Sequence, residues 1–249
     1  MCAGPRREHA RCSDSFEADV MPTSIIVVNW NTPALTTVCL ENVRRYTRVP
    51  YELIVVDNGS SDGSADILER VAGVSRLIRL PTNLGFAGGY NRGIEAAHPE
   101  NDVVLLNSDA FVTRGWLQRL SACMVRKGAG LVGPCTNNCK GKQRHALRMN
   151  GLVRPWFRRT QQVDYLSFFC ILISRRVIRD VGLLDERFHY GMFEDDDYCR
   201  RACAAGFRLF IDGRTWVWHE ANSTFAANRL DVGEVFEANR RQFESKWVS

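Results

Sequence analysis

Short runs of Val, Ile and Leu alternate with longer stretches whose apolar residues recur every three or four positions, and this alternation fills the first half of the chain. It predicts strands at Ser24–Val28, Glu52–Asp57, Val74–Leu80 and Val103–Asn107. Helices are predicted between and after them, at Ala34–Tyr46, Ala65–Ala72, Gly89–Ala97 and Trp116–Lys127. Strands that alternate with helices form a mostly parallel sheet with helices on both faces, so the fold class is α/β. The second half is less regular. It predicts a strand at Tyr165–Ile173, a helix at Arg175–Val181, an acidic cluster at Glu194–Asp197 and a helix at Tyr198–Ala205. A strand at Arg208–Ile211, the aromatic run Trp216–His219 and an amphipathic helix at Val232–Trp247 complete the pattern. Between Cys135 and about Gln162 the chain is basic and aperiodic, with Arg144, His145, Arg148, Arg154, Arg158 and Arg159 beside Trp156 and Phe157. A loop this long in a compact domain serves as a lid, a binding segment or a solvated excursion.

Parallel sheets bind ligands beyond the carboxyl ends of their strands, so the polar residues there become suspects. Asn29-Trp30-Asn31 closes the first strand, and Asp57-Asn58-Gly59-Ser60-Ser61-Asp62-Gly63-Ser64 the second. Asn83-Leu84-Gly85-Phe86-Ala87-Gly88-Gly89-Tyr90-Asn91 follows the third, and Asn107-Ser108-Asp109 ends the fourth. One such end is an ordinary turn; four along one edge outline a cleft.

Composition narrows the classes. With 249 residues, 45% hydrophobic and 24% charged, the chain is an ordinary globular sequence. A net charge of +5 suits anionic small molecules or a membrane face, while no base-reading module points to nucleic acid. The first 22 residues are polar and lack an apolar core of a signal sequence, which predicts a disordered arm. No apolar run approaches the ~20 residues of a membrane span. Nine scattered cysteines suit free thiols in a reducing compartment, so a cytoplasmic location is expected, with peripheral contact at the inner membrane face and homodimerisation left open. Cys135/Cys139 and Cys199/Cys203 lack the spacing of a zinc site and read as small buried residues.

Several side chains could do chemistry. Asp57 stands at a strand end, where a carboxylate can accept from the N–H of uracil or thymine; the plainer reading is a capped turn, which suits Ser61 or Asp62 better. Asp109 can supply one oxygen to a hard divalent ion that also binds a diphosphate. Four adjacent acids at Glu194–Asp197 repel one another, a cost that a helix N-terminus offsets only in part. A carboxylate there can instead act as general base toward a hydroxyl. His219 is a competent ligand for manganese-like ions, although a lone His beside apolar residues often has a packing role.

The segments IIVVNWN, ELIVVDNGSSDGS, NLGFAGGYNRGI, VVLLNSDA, GLLDERF, FEDDDYCRRACAAGFRL and VWHEANST, in that order, resemble family 2 of the inverting glycosyltransferases. The match runs from about Thr23 to Trp247 and leans toward the rhamnosyl- and galactofuranosyl-transferase-like branch. The resemblance implies a GT-A fold: a nucleotide-sugar half at about 23–133 and an acceptor half at about 134–249, within one domain at 23–249. It also implies residue roles. Asn29, Trp30, Asn31, Asp57, Asn58 and Gly59 would surround the nucleotide. Asn83, Gly85, Phe86, Ala87 and Asn91 would lie near ribose and diphosphate, and Asn107, Ser108 and Glu194 would contact substrate. Mn2+ or Mg2+ would rest on Asp109 and His219, and Asp195 would be the catalytic base.

Two departures stand out. Asn107 stands where the family has the first acid of its Asp-x-Asp motif, and a metal site on this chain would have one carboxylate fewer, which leaves the strength of metal dependence open. Ser167-Phe168-Phe169-Cys170 replaces a stretch of small residues, so sugar identity does not carry over. The expected reaction is in-line displacement on a UDP- or dTDP-sugar by a hydroxyl of a glycan, a lipid-linked intermediate or a peptide, in polysaccharide or glycoconjugate synthesis. A sugar-1-phosphate nucleotidyltransferase would need a Gly-rich basic loop where Asn29-Trp30-Asn31-Thr32-Pro33 stands. A catalytically silent nucleotide-sugar-binding module is the other alternative, left open by Asn107 and opposed by the intact acidic cluster.

Overall fold

The computed structural model describes residues 22–145 and 159–248, apart from Ala72 and Asn222. Residues 1–21 of the expected N-terminal arm, and Arg148, Arg154, Trp156, Phe157 and Arg158 of the basic loop, lie outside the described residues.

Four parallel strands form one wing of the sheet: β1 (Thr23–Asn29), β2 (Glu52–Asp57), β3 (Arg76–Arg79) and β4 (Asp102–Asn107), in the order β3-β2-β1-β4. Their side chains alternate between two cores. Ile25, Val27, Val55, Val104 and Leu106 enter one, and Ile26, Ile54, Val56, Val103 and Leu105 the other. Burial on both faces explains why β1, β2 and β4 read as apolar runs, whereas the edge strand β3 begins and ends on exposed arginines. Helices α1 (Pro33–Tyr46), α2 (Ser64–Leu68) and α3 (Gly85–Ala96) make the crossovers.

The sheet continues without a break into the second half through β8 (Cys170–Ile173), β6 (Leu131–Cys135), β9 (Leu209–His219) and β5 (Ala110–Val112), with β7 (Thr160–Val163) against β9. Strand β8 runs antiparallel to both β4 and β6, making the sheet mixed. Helices α4 (Trp116–Lys127), α5 (Arg175–Val181), α6 (Glu194–Ala204), α7 (Ser223–Ala227) and α8 (Val232–Trp247) complete the chain. No helix among the described residues is long and apolar enough to cross a membrane.

Several boundaries differ from the sequence reading, each for a local reason. Helix α3 starts four residues early, because the Asn83 side chain accepts from the Gly85 N–H at 2.8 Å. Helix α2 ends at Leu68 instead of running to residue 72. The strand expected at Tyr165–Ile173 begins only at Cys170. Upstream, the Leu166 N–H donates to Cys199 Sγ and the Ser167 N–H to Gln143 Oε1, so these donors are spent on side chains, not on a ladder. The two segments expected at Arg208–Ile211 and Trp216–His219 are one strand, β9, whose pairing with β6 is interrupted by an irregularity at Pro134/Cys135. The acidic cluster does not precede its helix but forms the first turn of α6, where free N–H groups and the helix dipole favour negative charge.

Candidate active site

The carboxyl ends of β1, β2 and β4 share one edge of the sheet, and two neighbouring cavities open there. The first is lined by Val28, Trp30, Asn58, Asn83, Gly85, Phe86, Tyr90, Asn107, Ser108, Asp109, Tyr190, Thr224, Phe225 and Leu230. The second takes in Lys140, Tyr165, Phe168, Phe169, Phe193, Glu194, Asp195, Asp196, His219 and Phe236. Phe86, Asn107, Tyr190 and Phe225 line both, so they form the wall where the cavities meet.

Asp109 faces the first cavity and His219 the second, and they touch: Asp109 Oδ1 lies 3.3 Å from His219 Nε2. Strand pairing brings them together, since Ala110 of β5 is opposite His219 of β9. The imidazole is held on every side. Its Nδ1 lies 2.7 Å from the Asn138 carbonyl and is therefore the protonated nitrogen, and Phe169 stacks on the ring at 5.1 Å. The other ring nitrogen, Nε2, faces the Asp109 carboxylate. An imidazole nitrogen and a carboxylate oxygen that face each other suit a divalent cation, whose remaining positions phosphate oxygens and water would take. Among the described residues no group of three or more His, Cys, Asp or Glu is placed to hold a metal. Of the cysteines expected to be small buried residues, Cys135 and Cys199 are buried and Cys139 is half-buried. Cys203 is exposed, a correction that follows from the last turn of α6 emerging at the surface.

Asn107 divides its amide between the two sides. Its oxygen accepts from the Tyr90 hydroxyl at 3.2 Å, and its nitrogen lies 3.5 Å from His219 Nε2. Burial keeps the Tyr90 phenol protonated and therefore a donor.

The α6 N-terminus sets the acids of the second cavity. Asp195 Oδ2 accepts from the Tyr165 hydroxyl at 2.7 Å, and Oδ1 from the Asp196 N–H at 2.8 Å. Burial, followed by the Asp196 charge, pushes the Asp195 carboxyl up to about 6, against the opposing pull of Tyr165 and Lys140. Glu194 is 4% exposed, and its Oε2 accepts no hydrogen bond from a described residue. Its burial and the nearby Asp195 charge hold it well above the usual carboxylate range. Asp196 pairs with Lys140 at 3.0 Å, and Lys140 lies over the Tyr165 and Phe193 rings. Asp197 turns away from the cavity to Arg201, Lys246 and Trp247.

Some expected contacts lie beneath the cavities instead of on their walls. Asp57 is 3% exposed and does not line the first cavity; its Oδ1 accepts from Asn29 at 2.8 Å and from Ser60 at 2.6 Å. Asn31, with φ of 52°, donates to Asn228 and accepts from the Ser61 N–H, tying the Trp30 loop to the segment that carries Thr224 and Phe225. Asn58 does line the cavity, but its side chain also fastens the next loop by bonding Asn83, the Leu84 N–H and the Gly85 carbonyl. Gly59 allows that loop to approach: a Cβ there would sit 2.3 Å from the Thr82 carbonyl carbon. Ala87 is fully buried, and Asn91 spends its amide on Leu184 and Glu186. Phe225, Leu230, Tyr165 and Lys140 had no sequence signal of their own, whereas Tyr190, just before the acidic cluster, had a clue in that position.

Comparison with known proteins gives this arrangement a family. The family model described as "Glycosyl transferase family 2" matches residues 24–182, which include every strand that carries the first cavity. The chain belongs to glycosyl transferase family 2.

Among curated glycosyltransferases, the chain is similar to N-acetylglucosaminyl-diphospho-decaprenol L-rhamnosyltransferase of Mycobacterium tuberculosis. They are 27% identical over 243 residues, covering 83% of this chain and 78% of that one. It is also 31% identical over 99 residues to the putative glycosyltransferase EpsH of Bacillus subtilis, covering 39% of this chain but only 28% of that protein. Two solved structures share the fold. S. aureus TarS 1–349 in complex with UDP-GlcNAc superposes with a TM-score of 0.66 at 18% identity, over 89% of this chain and 65% of that one. GalNAc-T7 with UDP, GalNAc and Mn2+ superposes with a TM-score of 0.66 at 14% identity, over 81% and 44%. The fold of this family 2 glycosyltransferase is thus the GT-A fold.

Proposed function

We propose that the protein transfers a sugar from a UDP- or dTDP-sugar to an acceptor hydroxyl with inversion at the anomeric carbon. The observation that carries this reading is the shared wall of the two cavities. Asp109 faces one cavity and Asp195 the other, with Asn107, Phe86, Tyr190 and Phe225 between them. A donor in the first cavity would present its anomeric carbon to a hydroxyl in the second.

Trp30, Asn58, Asn83 and Gly85 are assigned to the nucleotide, with Asp57 and Asn29 shaping the pocket from beneath. Asp109 and His219 would hold a divalent cation, which when bound neutralises charge on the leaving diphosphate. Asp195 takes the acceptor proton: its carboxyl is poised near 6, so at neutral pH it is ionised and still basic. Tyr165 orients that carboxylate. Attack from the second cavity on a donor in the first displaces the nucleoside diphosphate from the opposite face. The mycobacterial relative is named for rhamnosyl transfer to a diphospho-decaprenol carrier, which supports a deoxyhexosyl donor and a lipid-linked acceptor in glycoconjugate synthesis. A peripheral position at the inner membrane face would follow from such an acceptor.

The test is thermal denaturation with a panel of UDP-, dTDP- and GDP-sugars, with and without Mn2+, followed by NMR of the product formed from the donor that stabilises most. Metal-dependent stabilisation by a UDP- or dTDP-sugar, and a product of opposite anomeric configuration, are expected. Stabilisation without transfer or hydrolysis would favour the silent binding module.

A further inference from the structure

Four consecutive residues lead into α6 with positive φ: Tyr190 at 61°, Gly191 at 123°, Met192 at 77° and Phe193 at 70°. Three carry side chains, for which the left-handed region is disfavoured by contact of Cβ with the backbone. Such a turn persists only where its surroundings over-determine it. Here the surroundings are one side chain of α8. Asn239 is 3% exposed, and its amide nitrogen donates to the carbonyls of His189 at 2.9 Å, Gly191 at 2.6 Å and Met192 at 3.2 Å. The same helix supplies Phe236 and Phe243, whose rings lie 5.2 and 5.4 Å from Phe193.

The turn is also the piece of chain that spans both cavities. Tyr190 lines both and stacks on Trp30 at 5.8 Å, and Gly191, Met192 and Phe193 line the second. Gly85 fits against it so closely that a Cβ there would lie 2.9 Å from the Tyr190 nitrogen. One residue beyond the turn the helix begins, and its first two side chains are Glu194 and Asp195.

We propose that Asn239 is a positioning residue, whose amide locks the left-handed turn and so aims Asp195 into the second cavity. The role of Asp195 as base rests on the transfer reaction proposed above. The chemistry at 239 is specific. Three carbonyl oxygens need a donor, a carboxylate would repel them, and an apolar side chain would leave all three without this partner, the Gly191 carbonyl in a buried place.

The test compares Asn239→Leu, similar in size but without a donor, with Leu68→Ala, a fully buried change on α2 chosen for similar thermal destabilisation. Amide hydrogen exchange is measured across residues 188–197. Nucleotide release from the best-stabilising donor of the panel is followed against pH. In Asn239→Leu, exchange in this segment rises about tenfold beyond that in Leu68→Ala, as local opening of an unlocked turn requires. Turnover falls about tenfold or more, and by a larger factor than affinity for the free nucleoside diphosphate, which weakens only through the Tyr190–Trp30 stack. The acid limb of the rate profile also moves from near pH 6, because Asp195 changes its distance from Glu194, Asp196, Lys140 and Tyr165. Should the Leu variant not fold, Asn239→Ser carries the same comparison with one hydroxyl proton for three carbonyls. Equal exchange in the two variants, or an unmoved pH profile at full turnover, overturns the proposal. Exchange needs no turnover, so a wild type that releases no nucleotide counts against the transferase reading alone.

Discussion

The Tyr165 hydroxyl donates to Asp195 Oδ2 at 2.7 Å, and this bond holds down a carboxyl that burial and Asp196 push up to about 6. A base must be ionised to act, so transfer should rise with pH through about 6 and level off above it. Tyr165→Phe removes a bond to the charged form, which raises the Asp195 value further. Its acid limb should therefore shift to higher pH, with turnover at pH 6 reduced more than at pH 8. Asp195→Asn should lower kcat by ~10²–10⁴-fold on the plateau above pH 6, by less on the acid limb where the wild-type base is itself protonated, and leave nucleotide affinity nearly intact. Rate profiles of the three proteins check this, and an unshifted Tyr165→Phe profile removes Tyr165 from the base.

Asp109 and His219 should carry the metal dependence. In Asp109→Ala and His219→Ala, added Mn2+ should no longer increase the thermal stabilisation given by a nucleoside diphosphate. Asn107→Asp makes the opposite change. It places a second carboxylate within reach of His219 Nε2, where the amide nitrogen now lies at 3.5 Å. More ligand charge tightens binding of a hard cation, so half-saturation should need less Mn2+ than in the wild type. Titration of Mn2+ at fixed nucleotide measures both effects, and a weaker Asn107→Asp site would place residue 107 outside the coordination shell.

How much of this was legible depended on whether the signal was local. Helices α1, α4, α5 and α8 were placed to within a residue, because periodicity and end residues such as Pro33 and Asp231 are written in the segment itself. Strands β5, β6 and β7 were not seen. They are three to five residues long, β6 contains Gly133 and Pro134, and all three pair only with partners distant in sequence. The Asp109–His219 contact depends on the β5–β9 register, so no spacing along the chain could have revealed it and only the family likeness did. Asp57 was expected against the base, but its partnership with Asn29 and Ser60 places it under the cavity floor. The Tyr190–Phe193 turn has no periodicity to read, because left-handed backbone leaves no pattern among non-glycine residues.

Asn29 should matter to stability as well as to binding. It is fully buried, donates to Asp57 and Ser60, and accepts from the Thr36 hydroxyl at 2.7 Å. Asn29→Ala leaves a buried carboxylate and a buried hydroxyl each short of a partner, a cost of about 2–3 kcal/mol. Urea denaturation should show a lower midpoint with an unchanged slope. Nucleotide affinity should fall with it, since Ser60 also receives the Asn31 N–H and thereby holds the Trp30 loop. Loss of stability with full affinity would confine the cluster to folding.

Lys246 closes α8 onto the acceptor half, with its ammonium 2.7 Å from Asp185 and 2.6 Å from the fully buried Asp197. Arg187 also bonds Asp185, and together with Lys246 it holds that carboxyl well below the usual range. A carboxyl depressed by folding adds stability above its unfolded value, and the gain disappears as pH falls toward the folded one. Lys246→Met should therefore cost about 2 kcal/mol near neutrality, the scale of a partly buried hydrogen bond to a charged group. Because Arg187 still holds the Asp185 carboxyl low in the variant, the difference from wild type should persist to about pH 3 and shrink only below it, as Asp185 takes up its proton. Thermal melts from about pH 2 to 8 measure this, and a difference unchanged down to about pH 2 would mean that Lys246 acts by packing its methylene chain. Because Asn239 lies on the same helix, the variant should also raise hydrogen exchange in the 190–193 turn, but less than Asn239→Leu does, since the three carbonyl bonds themselves remain.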